Sequence, residues 1–519
     1  MRLNGKTRIF ACKPGGMNIK QHIAAAWGAY AARQYRKKEK NAVKDQCRWL
    51  KKLIKEGRRT RFGREHDFDS VRDYDEYKKA VRPRTYEDFK PYIDRIVNGA
   101  KNELWPGRPL YFAKTSGTTS GTKYIPISRQ SMPFHVKAAR DMLLLYLHKT
   151  GNTDFLTGKM IFLQGSPLLR STGGIPTGRL SGIAAHYVPK YFQKQRLPSW
   201  ETNIIEDWTV KIERIVNETL GQDMTLVSGI PSWVQHYFEK LIERAGKPVG
   251  EIFPRLSVLI HGGVNFEPYR KKFAALLGRK IDMLETYPAS EGFIAFRSDP
   301  GARDLMLLTD HGIFYEFIPM DKIREEGDHR IPLAEVKPGI DYALLLTTNA
   351  GLWSYMIGDV VRFTSVRPYR LQVTGRVNHF ISAFGEHVIA KETETALSRA
   401  AAKTGAVINA FSVAPQITPA KGLPYHEWLI EFEQEPENPA LFRDILDQSM
   451  QKQNIYYADL IKGKILRPPV ISFVRKGGFH HYMAAAGKLG GQNKIPVLKN
   501  DRSLADFLHL QGWIEKQLR

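Results

Sequence analysis

The stretch Thr115-Ser116-Gly117-Thr118-Thr119-Ser120-Gly121-Thr122-Lys123 holds only threonine, serine, glycine and one lysine. Glycines let a backbone approach a ligand closely, hydroxyls and amides donate to phosphate oxygens, and a lysine neutralises charge. The spacing is not that of a Walker A loop, which needs four residues between its first glycine and a Gly-Lys pair, then Ser or Thr. Leu110 to Lys114 and Tyr124 to Ser128 read as short strands, so the loop joins strand to strand. A flexible hairpin is the competing reading; the composition favours phosphate contact.

Working outward, residues from about Ile19 to Lys90 read as helical and polar, and a helix follows the loop from about Gln130 to Lys149. Then strand and helix alternate. Helix is expected at Asp207–Leu220, Pro231–Ala245 and Pro268–Leu277, and strand at Met224–Ser228, Leu256–Ile260 and Ile281–Glu285. Such alternation argues for a largely parallel sheet with helices on its faces, and ligands in such sheets sit beyond the carboxyl ends of the strands. Short strands dominate from Gly292 to Ser382. The tail reads as helix at Lys391–Lys403, strands at Val407–Val413 and Glu427–Glu433, helix at Ala440–Lys452 and a strand at Val470–Val474. It is long enough to fold as a small α+β domain.

The bulk numbers agree with a soluble, multidomain protein. A chain of 519 residues exceeds one hydrophobic core. Two cysteines, Cys12 and Cys47, cannot build a disulfide framework for this length, so a reducing compartment is expected. The densest apolar run, Met142 to Leu147, is far too short to span a bilayer. The net charge of +25 can attract nucleic acid, anionic membrane or anionic substrates. Much of it lies between Arg33 and Arg64, where Val43, Cys47, Leu50 and Ile54 recur at helical spacing, as in an amphipathic helix with a solvated basic face. No nucleic-acid-binding motif accompanies the charge.

Three further segments follow expected strands. His261-Gly262-Gly263 would let a planar ring lie against backbone, or is a plain turn. In Glu285-Thr286-Tyr287-Pro288-Ala289-Ser290-Glu291, Tyr287 is placed to stack on a base and Glu291 to hold Mg²⁺, which takes oxygen ligands and shares them with phosphates. In Tyr355-Met356-Ile357-Gly358-Asp359, the aspartate suits ribose hydroxyls, or is a turn aspartate. His480 and His481, read as neighbours on a strand, lack partners at ligand spacing. Trp233 and Trp428 read as packing residues.

The order of these four motifs resembles that of the adenylate-forming superfamily of acyl-CoA ligases, peptide-synthetase adenylation domains and luciferases. Three more segments narrow the resemblance to the Gretchen Hagen family of acyl-acid amido synthetases. They are Ser228-Gly229-Ile230-Pro231-Ser232-Trp233, Phe384-Gly385-Glu386 and Gly490-Gly491-Gln492-Asn493-Lys494. The resemblance covers roughly residues 40 to 505. Departures are Pro288, where a small or polar residue is usual, and His387, where plant members often carry lysine.

The resemblance implies an α/β protein. A large adenylate-forming domain, residues 1–380, would hold β-sheets with flanking helices and a small barrel-like β part. A small mobile α+β domain, 385–519, would follow a hinge near 376–386. It implies a cytoplasmic, monomeric ligase without a membrane span, which adenylates a carboxylic acid with ATP and passes the acyl group to an amine. It assigns Ser116, Gly117, Thr118, Thr119 and Lys123 to the phosphates and Gly262, Gly263 and Tyr287 to the adenine. Asp359 falls to the ribose, Ser290 and Arg376 to further nucleotide contact, Glu291 to Mg²⁺, and Lys494 to catalysis of the first step. An acyl-CoA ligase with the same intermediate is the nearest alternative. A nucleic-acid-binding or scaffold protein with an inactive adenylation fold is the other.

Overall fold

The computed structural model describes residues 19–116, 122–188, 193–263, 266–323, 325–377, 380–381, 388–416, 419–462, 466–487, 494–499 and 501–518. The chain opens with helices α1 (Ile19–Lys40), α2 (Ala42–Gly57), α3 (Arg61–Glu65), α4 (Tyr74–Ala80) and α5 (Tyr86–Val97). The side chain of Asp73 caps α4 by accepting from the Glu76 amide, and Asp88 accepts from the Thr85 amide at the start of α5, satisfying donors a helix start leaves open. Helix α6 (Met132–Thr150) stops where Gly151 turns to φ 72°, which glycine adopts without a Cβ clash.

Strands β1 (Tyr111–Ser116) and β2 (Thr122–Ile127) pair antiparallel across the Ser/Thr/Gly loop, as expected. With β4 (Arg170–Thr172) and β5 (Ile175–Gly178) they form a small sheet, ordered β2-β1-β5-β4. Strands β3 (Lys159–Phe162), β6 (Arg196–Leu197), β7 (Met224–Gly229), β8 (Val258–Gly262) and β9 (Asp282–Ala289) make the parallel half of a long sheet. Its antiparallel half contains β10 (Gly292–Arg297), β11 (Leu305–Leu307), β12 (Ile313–Pro319), β13 (Ile331–Pro332), β14 (Asp341–Thr348), β15 (Tyr355–Val366) and β16 (Tyr369–Arg376). Among the described residues this sheet has twelve strands, ordered β13-β12-β14-β15-β16-β11-β10-β9-β8-β7-β3-β6. A two-strand ladder of β17 (Phe380–Ile381) and β18 (Val388–Ile389) precedes a last sheet of β19 (Val407–Gln416), β20 (Tyr425–Gln434), β21 (Val470–Val474) and β22 (Ile514–Leu518).

The parallel strands read Met224-Thr225-Leu226-Val227 and Val258-Leu259-Ile260, almost without polar interruption, because both faces are covered. On one face, Val227 and Leu259 pack with Val234, Tyr237 and Phe238 of the Pro231–Ala245 helix and Phe273 of the Arg270–Leu277 helix. Trp353 anchors a second core. Fully buried, it lies edge-on to Phe68 at 4.8 Å and stacks with Phe62 at 5.8 Å. The last sheet has its own core of Trp428, Phe442, Leu446 and Phe473.

Three expectations need correction. The β region does not close into a barrel among the described residues: β11 pairs with both β16 and β10, so its strands continue into the parallel half. The buried face of α2 is not Val43, Cys47, Leu50 and Ile54. Val43 and Cys47 are exposed, and Ala42, Gln46, Trp49 and Leu53 point inward beside Leu50 and Ile54. A glutamine is the reason: Gln46 donates to the carbonyls of Thr309 and Ile313 and accepts from the Tyr315 amide, so a polar side chain holds a core position. His480 and His481 sit on a helix, Gly478–Ala485, not a strand.

One buried ion pair ties the helical start to the long sheet. Arg330 and Glu316 are both fully buried and bond at 2.9 Å, and Arg330 also donates to the carbonyls of Lys78 and Val81 at the end of α4. Removing one partner strands the other charge. Arg330→Ala is therefore expected to cost about 3–5 kcal/mol. Replacing the pair as Arg330→Met with Glu316→Leu should cost clearly less, with denaturant midpoints as the readout.

Candidate active site

The carboxyl ends of β7, β8 and β9 open into one cleft of about 2830 Å³. That is several times the roughly 300–1,000 Å³ of a single small-molecule pocket. Thr115, Lys123, Gly262, Gly263, Tyr287, Ser290, Glu291, Asp359, Arg376 and Lys494 all line it. Residues more than 370 positions apart in sequence thus share a wall. Ser116 ends β1 opposite Thr122. Gly117, Thr118 and Thr119, most of the expected hinge with Phe384-Gly385-Glu386 and His387, and Gly490 to Asn493 lie outside the described residues.

Asp359 is the junction of this wall. It is not a turn residue: it lies in β15, opposite Arg376 in β16. Its carboxylate accepts from the Tyr287 hydroxyl at 2.5 Å and meets Arg376 Nε at 3.2 Å. Arg376 also donates to the Ile357 carbonyl at 3.1 Å, and the nearby Asp359 charge raises its pKa despite burial. Tyr287 is buried, and burial followed by the Asp359 charge puts its ionisation out of reach. It presents a fixed ring with its hydroxyl already bonded.

Ser290 and Glu291 form the turn between β9 and β10. Burial raises the Glu291 pKa to about 7, with Asp359 adding to the rise and Arg376 and Lys123 opposing it. A buried carboxylate is a hard oxygen donor that Mg²⁺ accepts when phosphates and water complete its shell. Among the described residues no three His, Cys, Asp or Glu side chains gather to hold a metal, so such an ion would need ligands from a substrate. Lys123 lies with Nζ 5.5 Å from the Tyr86 ring centre, and burial lowers its pKa while Glu291 raises it.

Gly262 and Gly263 are needed for shape. A Cβ on Gly262 would collide with the Thr286 carbonyl oxygen and hydroxyl on β9. Gly263 has φ 82°, and a Cβ there would stand 3.4 Å from Lys494 Nζ. Lys494 therefore crosses the end of β8. It keeps contact with solvent through the open cleft, yet the surrounding walls strip enough water to lower its pKa to about 8. Asp359 pulls that value up and Arg376 pushes it down.

A second set of charges was not anticipated. Arg297 in β10 lies 3.6 Å from Glu285 in β9 and 3.4 Å from His261 Nε2. His261 stacks on Phe266 at 4.1 Å, and burial, followed by Arg297 and Arg270, drives its pKa down to about 3. It is a neutral, hydrogen-bonding wall. Strand ends alone marked His261 and Glu285; nothing in the linear sequence joins Arg297 to them.

Three family models match the chain: GH3 family N-terminal domain over residues 31–211, GH3 family central domain over 306–376 and GH3 family C-terminal domain over 391–503. Together they cover more than half of it. The jasmonoyl–L-amino acid synthetase JAR4 of Nicotiana attenuata is 24% identical over 62% of this chain and 67% of its own length. The indole-3-acetic acid-amido synthetase GH3.3 of Arabidopsis thaliana is 20% identical over 86% and 88%. In fold, the chain is similar to the GH3.15 acyl acid amido synthetase in complex with 2,4-DB. The TM-score is 0.77 at 16% identity, covering 98% of each chain. A 2-hydroxyisobutyryl-CoA ligase follows at TM-score 0.56 and 14% identity, covering 92% of each.

The closeness of β8 and β9 at Gly262 is testable. Gly262→Ala must push these strands apart and is expected to cost about 1–3 kcal/mol. Gly375→Ala, whose Cβ would meet its nearest neighbour at 3.6 Å, should be tolerated. Thermal unfolding of the two variants distinguishes them.

Proposed function

The chain belongs to the GH3 family and is a ligase; on that premise we propose that it adenylates a small carboxylic acid with ATP and transfers the acyl group to an amine, an amino acid by preference. The observation that carries this reading is the meeting of Lys123, Glu291, Asp359, Arg376 and Lys494 in one cleft.

In the first step a carboxylate oxygen bonds to the α-phosphorus of ATP, and the bond to the β-phosphate oxygen breaks, releasing pyrophosphate. Both reactants are anions, so the work is positioning and charge neutralisation. Ser116, Gly117, Thr118, Thr119 and Lys123 take the phosphates in this reading. Gly262, Gly263 and Tyr287 frame the adenine, Asp359 accepts from the ribose, and Ser290 and Arg376 complete the nucleotide contacts. Glu291 would hold Mg²⁺, whose charge favours the ionised carboxylate that burial disfavours; the ion supplies Lewis-acid stabilisation of the phosphates. Lys494 stabilises the negative charge that develops on the α-phosphoryl group. In the second step the amine nitrogen bonds to the acyl carbon, AMP leaves with the bonding electron pair, and the amine gives up a proton to water.

Lys494 belongs to the C-terminal segment, while its neighbours in the cleft come from the long sheet. That supports two domains, 1–380 and 385–519, and a hinge near 376–386 that brings the lysine in for the first step and withdraws it for the second. Water exclusion during the change protects an adenylate that hydrolyses readily. The paucity of cysteine supports a cytoplasmic setting. Among the described residues no helix is long and apolar enough to cross a membrane.

The likeness in fold to a CoA ligase keeps a thiol acceptor as the second reading. Incubation with ATP and a panel of acids, with either amino acids or CoA, decides between amide and thioester. Failure of every acid in the panel to elicit pyrophosphate release would overturn both.

Lys494→Ala is expected to slow acid-dependent pyrophosphate release about 10²–10³-fold with the fold intact. In the wild type the same rate should fall as pH rises through about 8, where Lys494 loses its charge, and Lys494→Arg should move that limb upward. Asp359→Ala is expected to weaken ATP binding roughly tenfold or more by loss of a charge-assisted hydrogen bond, read by calorimetry.

A further inference from the structure

Helix α1 is apolar on two opposite sides. Its inner side is built of small residues: Gly28, Ala31 and Ala32 are buried against α6, with Ala24 and Ala25 beside them. A Cβ on Gly28 would come within 2.9 Å of the Leu144 carbonyl oxygen, so the two helices are in close contact. Tyr35 fixes the rotation. Its hydroxyl bonds Asp141 of α6 at 3.1 Å and His311 at 3.2 Å.

The large apolar residues are left outside. Ile19, Ile23, Trp27 and Tyr30 are 78%, 54%, 57% and 66% exposed. Their spacing of four, four and three places them on one stripe. Along the same helix Lys20, Arg33, Arg36, Lys37 and Lys40 are exposed, and none pairs with a carboxylate of a described residue.

We propose that this face of α1 docks on an anionic lipid bilayer, the helix lying in the plane of the interface. Tryptophan and tyrosine favour the headgroup level, aliphatic side chains favour the acyl boundary, and unpaired cations favour anionic lipid. Nucleic acid would use the cations but leave Ile19 and Ile23 in water. A second copy packed antiparallel across a two-fold axis would lay Arg33, Arg36, Lys37 and Lys40 beside Ile19 and Ile23 and offer them no carboxylate.

The full chain is sedimented with vesicles of phosphatidylcholine, with and without phosphatidylserine. Selective pelleting with phosphatidylserine is expected. It should drop roughly tenfold or more both in Ile23→Ser/Trp27→Ser/Tyr30→Ser and in Arg33→Glu/Lys37→Glu/Lys40→Glu. Unchanged thermal midpoints in these exposed-site variants confirm folding, and a variant that unfolds is replaced by Trp27→Ser alone. Equal binding to both vesicles, or undiminished pelleting of the folded serine variant, overturns the proposal. So does a dimer dissolved by Trp27→Ser, retention of RNA or DNA in place of vesicles, or binding that requires removal of residues 1–18.

Discussion

The carboxylate of Asp359 joins parts of the long sheet that the chain builds separately. Tyr287 reaches it from β9, in the parallel half, and Arg376 from β16, in the antiparallel half. Strand pairing alone fixes neighbours; β9 and β16 are not neighbours, since β10 and β11 lie between them. The side-chain bonds span that gap on the cleft face. They set the distance between the flat ring of Tyr287 and the paired ions, and hence the width of the wall. An aspartate with donors on two strands is also held in one orientation.

Around that junction, burial pulls charged groups toward neutrality. It raises the carboxyl of Glu291, lowers the amines of Lys123 and Lys494, and keeps His261 uncharged. Opposite charges offset part of the lost hydration at three of them, Arg376 and Lys123 at Glu291, Glu291 at Lys123 and Asp359 at Lys494, whereas His261 has cations beside it and stays neutral. A polyanion and a divalent cation entering together would supply the missing counter-charges. The cleft is thus an electrostatic arrangement whose cost would fall with bound counter-charge. Preorganisation of this kind is paid during folding, not at the moment of reaction.

Much of this was legible in the linear chain. Strand–helix alternation from Asp207 to Glu285 names the parallel half, and motifs at strand ends converge because parallel strands bring their carboxyl ends to one side. Less legible was whatever depends on partners far along the chain. Gln46 sits where periodicity calls for an apolar residue, because carbonyls near residue 310 await its amide. The short strand β11 reads the same whether a sheet closes or continues; only its two neighbours decide. Arg297 occupies a strand of otherwise apolar residues and gains its meaning from Glu285 and His261. The histidines at 480 and 481 show the local limit, since a short helix and a strand carry similar short-range signals.

Among the described residues the long sheet ends in β13 and β6, two residues each. Pro332 closes the first, and Pro198 follows the second. A wide sheet is a template on which stray strands, including those of other copies, can add hydrogen bonds indefinitely. Here each margin offers too few free amides and carbonyls to seed that growth, and proline subtracts a donor beside them. The breadth that gives the cleft its wall is thereby separated from the hazard of breadth: the protein grows wide in the middle and stops abruptly at its rims.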